Sequence, residues 1–208
     1  MKTSDYPVDE STPFRPTKIF HIRQEHILAP SFHITDVTAA AAGTVDIYQK
    51  PDVAAQVDAA AKANPVFLDV IRRSWTERTL EAVEPGSSKE AVATLSGPLA
   101  ALGRWTLTFA DATHAAHAVE MRPTGMGHKA DVFVLDSVPF FWDPCDGGRV
   151  LWELFKVVGG KRVLVGAYSV AHHWNKNGVL GVDTDQVDEV VAIMTCVAAI
   201  GRSDSFRK

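Results

Sequence analysis

Only two cysteines, Cys145 and Cys196, occur in 208 residues, which excludes a disulfide framework. The chain also lacks a basic excess. Its formal net charge is −4, whereas nucleic-acid binding is usually marked by a strong surplus of Lys and Arg. Catalytic signatures are missing as well: there is no Gly-x-Ser-x-Gly elbow, no phosphate-binding Gly-rich loop and no zincin motif. The polar, acidic stretch Met1–Glu10 has no apolar segment of the kind a secretory signal needs. These absences lead to the expectation of a non-enzymatic cytoplasmic protein, with a peripheral-membrane or nuclear placement as variants and without cofactors. The length fits one domain with a sizeable core.

The most informative stretch present is the last. From Val190 to Ile200 the chain carries no charge, and a helix apolar on every side must be buried on every side. The run is shorter than the roughly 20 apolar residues of a membrane span, so a core helix is expected. Asp183, Thr184 and Asp185 offer N-cap oxygens. Asp183 with Gln186 has capping-box spacing, and Gly201 suits a C′ position, so the helix is expected over 185–201. Cys196 lies within it and reads as an inert packed thiol.

Almost everything before that helix reads as strand. Met1 to Thr17, with three prolines, is expected to be a mobile tail, and 18–208 a single domain. Alternation such as Trp105, Leu107 and Phe109 marks half-buried strands, and about eleven or twelve candidates result. Thr44 to Tyr48 is one of them. The exception is a short helix near 52–63, with Asp52 as N-cap and Asn64-Pro65 as stop. Gly147-Gly148, Gly159-Gly160 and Asn177-Gly178 read as tight hairpin turns. A small barrel cannot admit a helix, but a can of about eleven strands can. The expected fold is therefore mainly β: an antiparallel barrel of about twelve strands around the C-terminal helix. A two-sheet sandwich would leave one face of that helix wet.

The end of the chain resembles the tubby C-terminal-like superfamily, which includes tubby-like, phospholipid-scramblase and LURP-one-related proteins. The likeness rests on Phe140-Phe141-Trp142, on Arg149-Val-Leu-Trp-Glu-Leu-Phe155, and on Val170-Ala-His-His-Trp174 followed by Gly181-Val-Asp183 and the apolar helix. The layout is most similar to fungal proteins with a tubby-like domain. The resemblance implies a twelve-stranded barrel around a hydrophobic C-terminal helix. It also implies two activities. The first is phosphoinositide headgroup binding, for which this chain offers Arg72, Arg73, Lys156, Lys161 and Arg162. The second is association with calcium, for which Asp183, Asp185, Asp188 and Glu189 stand in the comparable place. The scramblase membrane-directing region has no counterpart.

Each candidate has a plainer role. Lys and Arg commonly guard strand edges, and acids before a helix stabilise its positive end. Asp131, Asp136, Asp143 and Asp146 read as turn residues. On a strand, His114 and His117 would point to opposite faces, as would His172 and His173, so neither pair makes a bidentate metal site. The expected function is a module that binds a membrane-lipid headgroup or a protein partner. A lipocalin-like small-molecule binder and an enzyme with a rim site are the alternatives.

Overall fold

In a computed structural model, the described residues are 3–24, 31–41, 43, 47, 50–72, 79–86, 91–97, 103–125, 130–145, 150–170 and 177–205. Twelve strands follow one another: β1 (Lys18–Gln24), β2 (Phe32–Asp36), β3 (Val66–Arg72), β4 (Thr79–Val83), β5 (Ala91–Ser96), β6 (Trp105–Phe109), β7 (Val119–Pro123), β8 (Asp131–Leu135), β9 (Val138–Pro144), β10 (Val150–Val158), β11 (Lys161–Val170) and β12 (Gly178–Val182). Each pairs antiparallel with its neighbours in sequence, and β1 pairs with β12 as well as with β2, so the sheet closes into a barrel. Helix α1 (Pro51–Ala63) links β2 to β3, and α2 (Glu189–Ser205) follows β12.

Helix α2 fills the barrel. From Val190 to Ile200 no residue is more than 4 % exposed. Its side chains share one core with inward residues such as Phe20, Ile22, Leu107, Phe133, Trp142, Leu154 and Leu180. Phe133 and Phe140 stack within this core at 5.1 Å between centroids. One polar contact fixes the helix against the wall. Trp142 Nε1 donates to Thr195 Oγ1 at 3.0 Å, and Thr195 Oγ1 donates back to Val191 O at 2.8 Å. Thr195→Val keeps the shape but leaves a buried indole N–H without its acceptor, at a cost of about 2 kcal/mol. The expected result is a lower urea midpoint for Thr195→Val than for Thr195→Ser, which loses a buried methyl, at about 1 kcal/mol, but keeps the acceptor.

The outer wall carries two smaller clusters. Ile19 and Val179 alternate with inward neighbours and face outward, where α1 covers them with Val57; Val37 and Ile47 join this layer. His21, on the same wall, is buried, and burial pushes its imidazole below its ordinary value against a smaller opposing effect from Asp58. The second cluster is Val132, Phe141 and Phe155, overlain by Tyr6 and flanked by Val157 and Leu164.

Several boundaries depart from the sequence reading. Helix α2 runs from Glu189 to Ser205 rather than over 185–201, and Gly201 lies within it. Helix α1 starts at Pro51, which suits the first helical turn, with Lys50 rather than Asp52 at the N-cap. Gly159 and Gly160 have φ of 57° and 76°, as a tight primed turn requires. Gly178 instead belongs to β12, paired with both Ile22 and Val170, so Asn177-Gly178 is not a two-residue turn. Gly147-Gly148, and all of Thr44 to Tyr48 except Ile47, lie outside the described residues. Among the described residues, no helix is long and apolar enough to cross a membrane.

Candidate functional site

A set of polar contacts surrounds the barrel end where α2 enters. There β12 ends at Val182 opposite Lys18, the first residue of β1. The chain then turns inward. The carbonyl of Asp183 accepts from the N–H groups of Gln186 and Val187, and Asp183 Oδ1 accepts from the N–H of Asp185 at 3.1 Å. Asp188 is the true N-cap of α2. Its Oδ1 accepts from Val190 N at 2.9 Å and Val191 N at 3.0 Å, while Oδ2 lies 3.0 Å from His114 Nδ1. Glu189 is half-buried beside it. Desolvation raises its carboxyl above the ordinary value, and Lys18 opposes that shift. Lys18 Nζ in turn holds Asp36 at 2.8 Å, and Asp36 also accepts from the backbone and hydroxyl of Thr38. Burial acts to raise the Asp36 carboxyl, but Lys18 and Thr38 together leave it lowered.

Of the four carboxylates suggested for calcium, Asp183 shapes the turn and Asp188 caps α2, while Asp185 is exposed and Glu189 half-buried. Among the described residues, no three His, Cys, Asp or Glu side chains come together to hold a metal ion. His114 and His117 lie in the loop between β6 and β7 rather than on a strand, and His114 serves the Asp188 cap. His172 and His173 lie outside the described residues.

The cations suggested for a headgroup do not converge. Arg72 ends β3 at the barrel end remote from α2 entry, five strands round from β10. Arg73 lies outside the described residues. Lys156, Lys161 and Arg162 share the β10–β11 hairpin but not a face. Lys156 pairs opposite the core residue Phe140, and its Nζ donates to the carbonyl and side-chain oxygens of Gln186 at 3.2 and 3.1 Å. Lys161 is exposed beside the turn. Arg162 faces the outer wall, with its side chain only 13 % exposed.

Arg162 organises the feature that sequence reasoning missed. The β10–β11 hairpin projects past the end of β12, which pairs with β11 only from Gly166 onward. The edge of β11 at Arg162 would otherwise be open to pairing by another chain. The amino-terminal segment fills it. Arg162 N donates to Pro7 O at 2.8 Å, Asp9 N donates to Arg162 O at 2.8 Å, and Val8 forms a parallel bridge with Arg162. The Arg162 side chain completes the clamp. Its Nε donates to Tyr6 O at 2.9 Å, one terminal nitrogen reaches Asp143 at 2.5 Å, and the guanidinium lies 4.9 Å from the centroid of the Phe155 ring. Tyr6 packs on Phe141 at 5.9 Å. The expected mobile tail is thus tied down over Tyr6–Asp9. Asp9 is held below its usual carboxyl value, first by hydrogen bonds from Ser11 and in lesser part by Lys161.

Two of the acids read as turn residues also prove otherwise. Asp131 is buried at the start of β8, opposite Trp142, and Asp143 is the outward partner of Arg162. Asp136 does lie in a turn, with Ser137, while Asp146 is outside the described residues.

Comparison with known proteins gives no match to a family model, to a curated protein or to a solved structure. The class defined by fold and geometry is therefore as far as shared features reach: a closed twelve-stranded antiparallel barrel with a C-terminal helix as its core.

Proposed function

We propose that the chain is a non-enzymatic, tubby-like interaction module that works from its outer surface, with a protein as its target. The observation that carries this reading is the burial of Val190–Ile200 in the barrel. Helix α2 occupies the space that a lipocalin-like binder would keep for its ligand, so recognition falls to the wall and the rims. At the entry mouth Asp36, Asp188 and His114 have structural partners, which favours a structural mouth over a catalytic rim. A phosphoinositide headgroup needs several cations on one phosphate. Arg162 is committed to Asp143 and Tyr6, Lys156 to Gln186, and Arg72 stands at the other end, which favours a protein over a headgroup.

Two measurements test the reading. In low salt, where charge attraction is least screened, the chain should sediment no more with vesicles containing phosphoinositides than with phosphatidylcholine alone. Selective sedimentation would return the headgroup to first place. An apolar fluorophore should show no saturable uptake, and saturable uptake would revive the lipocalin-like alternative.

A further inference from the structure

We infer that the projecting β11 edge at Arg162, with the apolar wall beside it, is a docking groove for an extended segment of a partner protein, and that Tyr6–Asp9 occupies it in cis as a competitor. The inference rests on the interaction-module reading and names where such a module takes its partner. Adding a strand to an open sheet edge is a general mode of peptide recognition: main-chain hydrogen bonds supply affinity and side-chain contacts supply selectivity. Both parts are present. The main-chain part is the pair of 2.8 Å bonds that Arg162 makes through its N–H and C=O. The side-chain part is the outer cluster of Val132, Phe141 and Phe155, on which Tyr6 rests.

The seated segment defines the chemistry of the partner. The order is aromatic, proline, apolar, acidic: Tyr6-Pro7-Val8-Asp9. The aromatic meets Phe141. The second position contributes only its carbonyl to the pairing, so proline, which lacks an N–H, is accepted there. The fourth position must donate its N–H to Arg162 O, so proline is excluded there. An acidic group at the fourth position suits the neighbouring Lys161.

The cis segment also keeps its outer side open to solvent, where a competitor can reach it. Val8 remains 44 % exposed, Tyr6 is only half-buried, and the stretch from Glu10 to Arg15 that joins it to β1 is mostly exposed. Its release would uncover a sheet edge and an aromatic face together, a combination that invites pairing by another chain.

The test uses the full chain and a fluorescent peptide with the sequence Thr3–Thr12. Tyr6→Ala should loosen the cis segment without touching the groove, and Asp9→Pro is a second variant that removes the N–H bonded to Arg162 O. Thermal melts check that both remain folded. If the segment is docked about nine-tenths of the time, anisotropy should show about tenfold tighter peptide binding to either variant than to the wild type. A peptide with proline in place of its Asp9 should not bind. Equal affinity for wild type and both variants, or undiminished binding of the proline-substituted peptide, would overturn the groove. A concentration-dependent dimer of the wild type in sedimentation would overturn the assignment to a foreign partner, because the segment would then be exchanged between copies. Fluorophore uptake and vesicle binding bear on the module reading alone, so failure of the groove and failure of that reading are distinguishable.

Discussion

Ile193→Asp is expected to abolish folding. Ile193 is fully buried on α2, between Val190 and Val197 on the helix, and the barrel wall surrounds it. An aspartate there loses the burial of a large aliphatic side chain, roughly 2–5 kcal/mol by analogy with truncation of such residues. It must also either bury a charge or take up a proton and bury an unpaired carboxyl, which costs several kcal/mol more. The sum is comparable to the entire stability of an ordinary domain, about 5–15 kcal/mol. Ile193→Ala is the calibrating variant, since it incurs the truncation cost alone and should remain folded with a lower melting temperature. Far-UV circular dichroism and thermal melts of the two variants provide the reading. An Ile193→Asp protein that melts cooperatively near the wild-type temperature would mean that α2 has a wet face, and the filled barrel would be wrong.

That helix was legible in the sequence because total burial leaves an unmistakable trace, the loss of every charge from Val190 to Ile200. The strands were legible for a similar reason. Trp105, Leu107 and Phe109 alternate with threonines because one face of β6 meets the core and the other meets water. What the sequence concealed is where several local solutions compete or where a partner lies far along the chain. Asp183, Asp185 and Asp188 are each able to cap a helix. Asp188 is the cap in the structure, and its second oxygen is held by His114, 74 residues away. The turn at Asp136-Ser137 has φ of 49° and 66° without a glycine to announce it. Asp143 looks like a turn residue in the sequence because its partner, Arg162, lies 19 residues further on, across β10. The docking of Tyr6–Asp9 was least visible of all. Three prolines and scattered polar residues describe a chain that makes no structure of its own, and that remains locally true. The order comes from the edge of β11, which exists only once the hairpin outgrows β12. The headgroup candidates cluster in the sequence but not in space: Lys156 and Arg162 are near in sequence, but one faces the core and the other the outer wall.

Gly178→Ala is expected to destabilise the barrel strongly. A Cβ at this position would sit 2.4 Å from the carbonyl oxygen of Ser169 and 2.6 Å from two ring carbons of Tyr168. Neither neighbour has room to yield. Ser169 and Tyr168 are both about 1 % exposed, and Ser169 is fixed in the ladder to Val179. Gly178 is itself paired on both sides, with Ile22 and with Val170, so relief by moving its own backbone would disturb two ladders at the seam where the barrel closes. Overpacking of this kind typically costs 1–3 kcal/mol, and with a backbone oxygen as the obstacle about 3 kcal/mol is expected. Gly159→Ala separates steric crowding from backbone strain. Its Cβ would meet nothing within 4 Å, but φ is +57°, so only the left-handed conformation is penalised, by about 1 kcal/mol. Urea unfolding of the two variants should therefore rank Gly178→Ala well below Gly159→Ala. An inverted order would mean that the β11–β12 ladder is looser than its geometry requires, and that the Tyr168 ring is free to leave the face of Gly178.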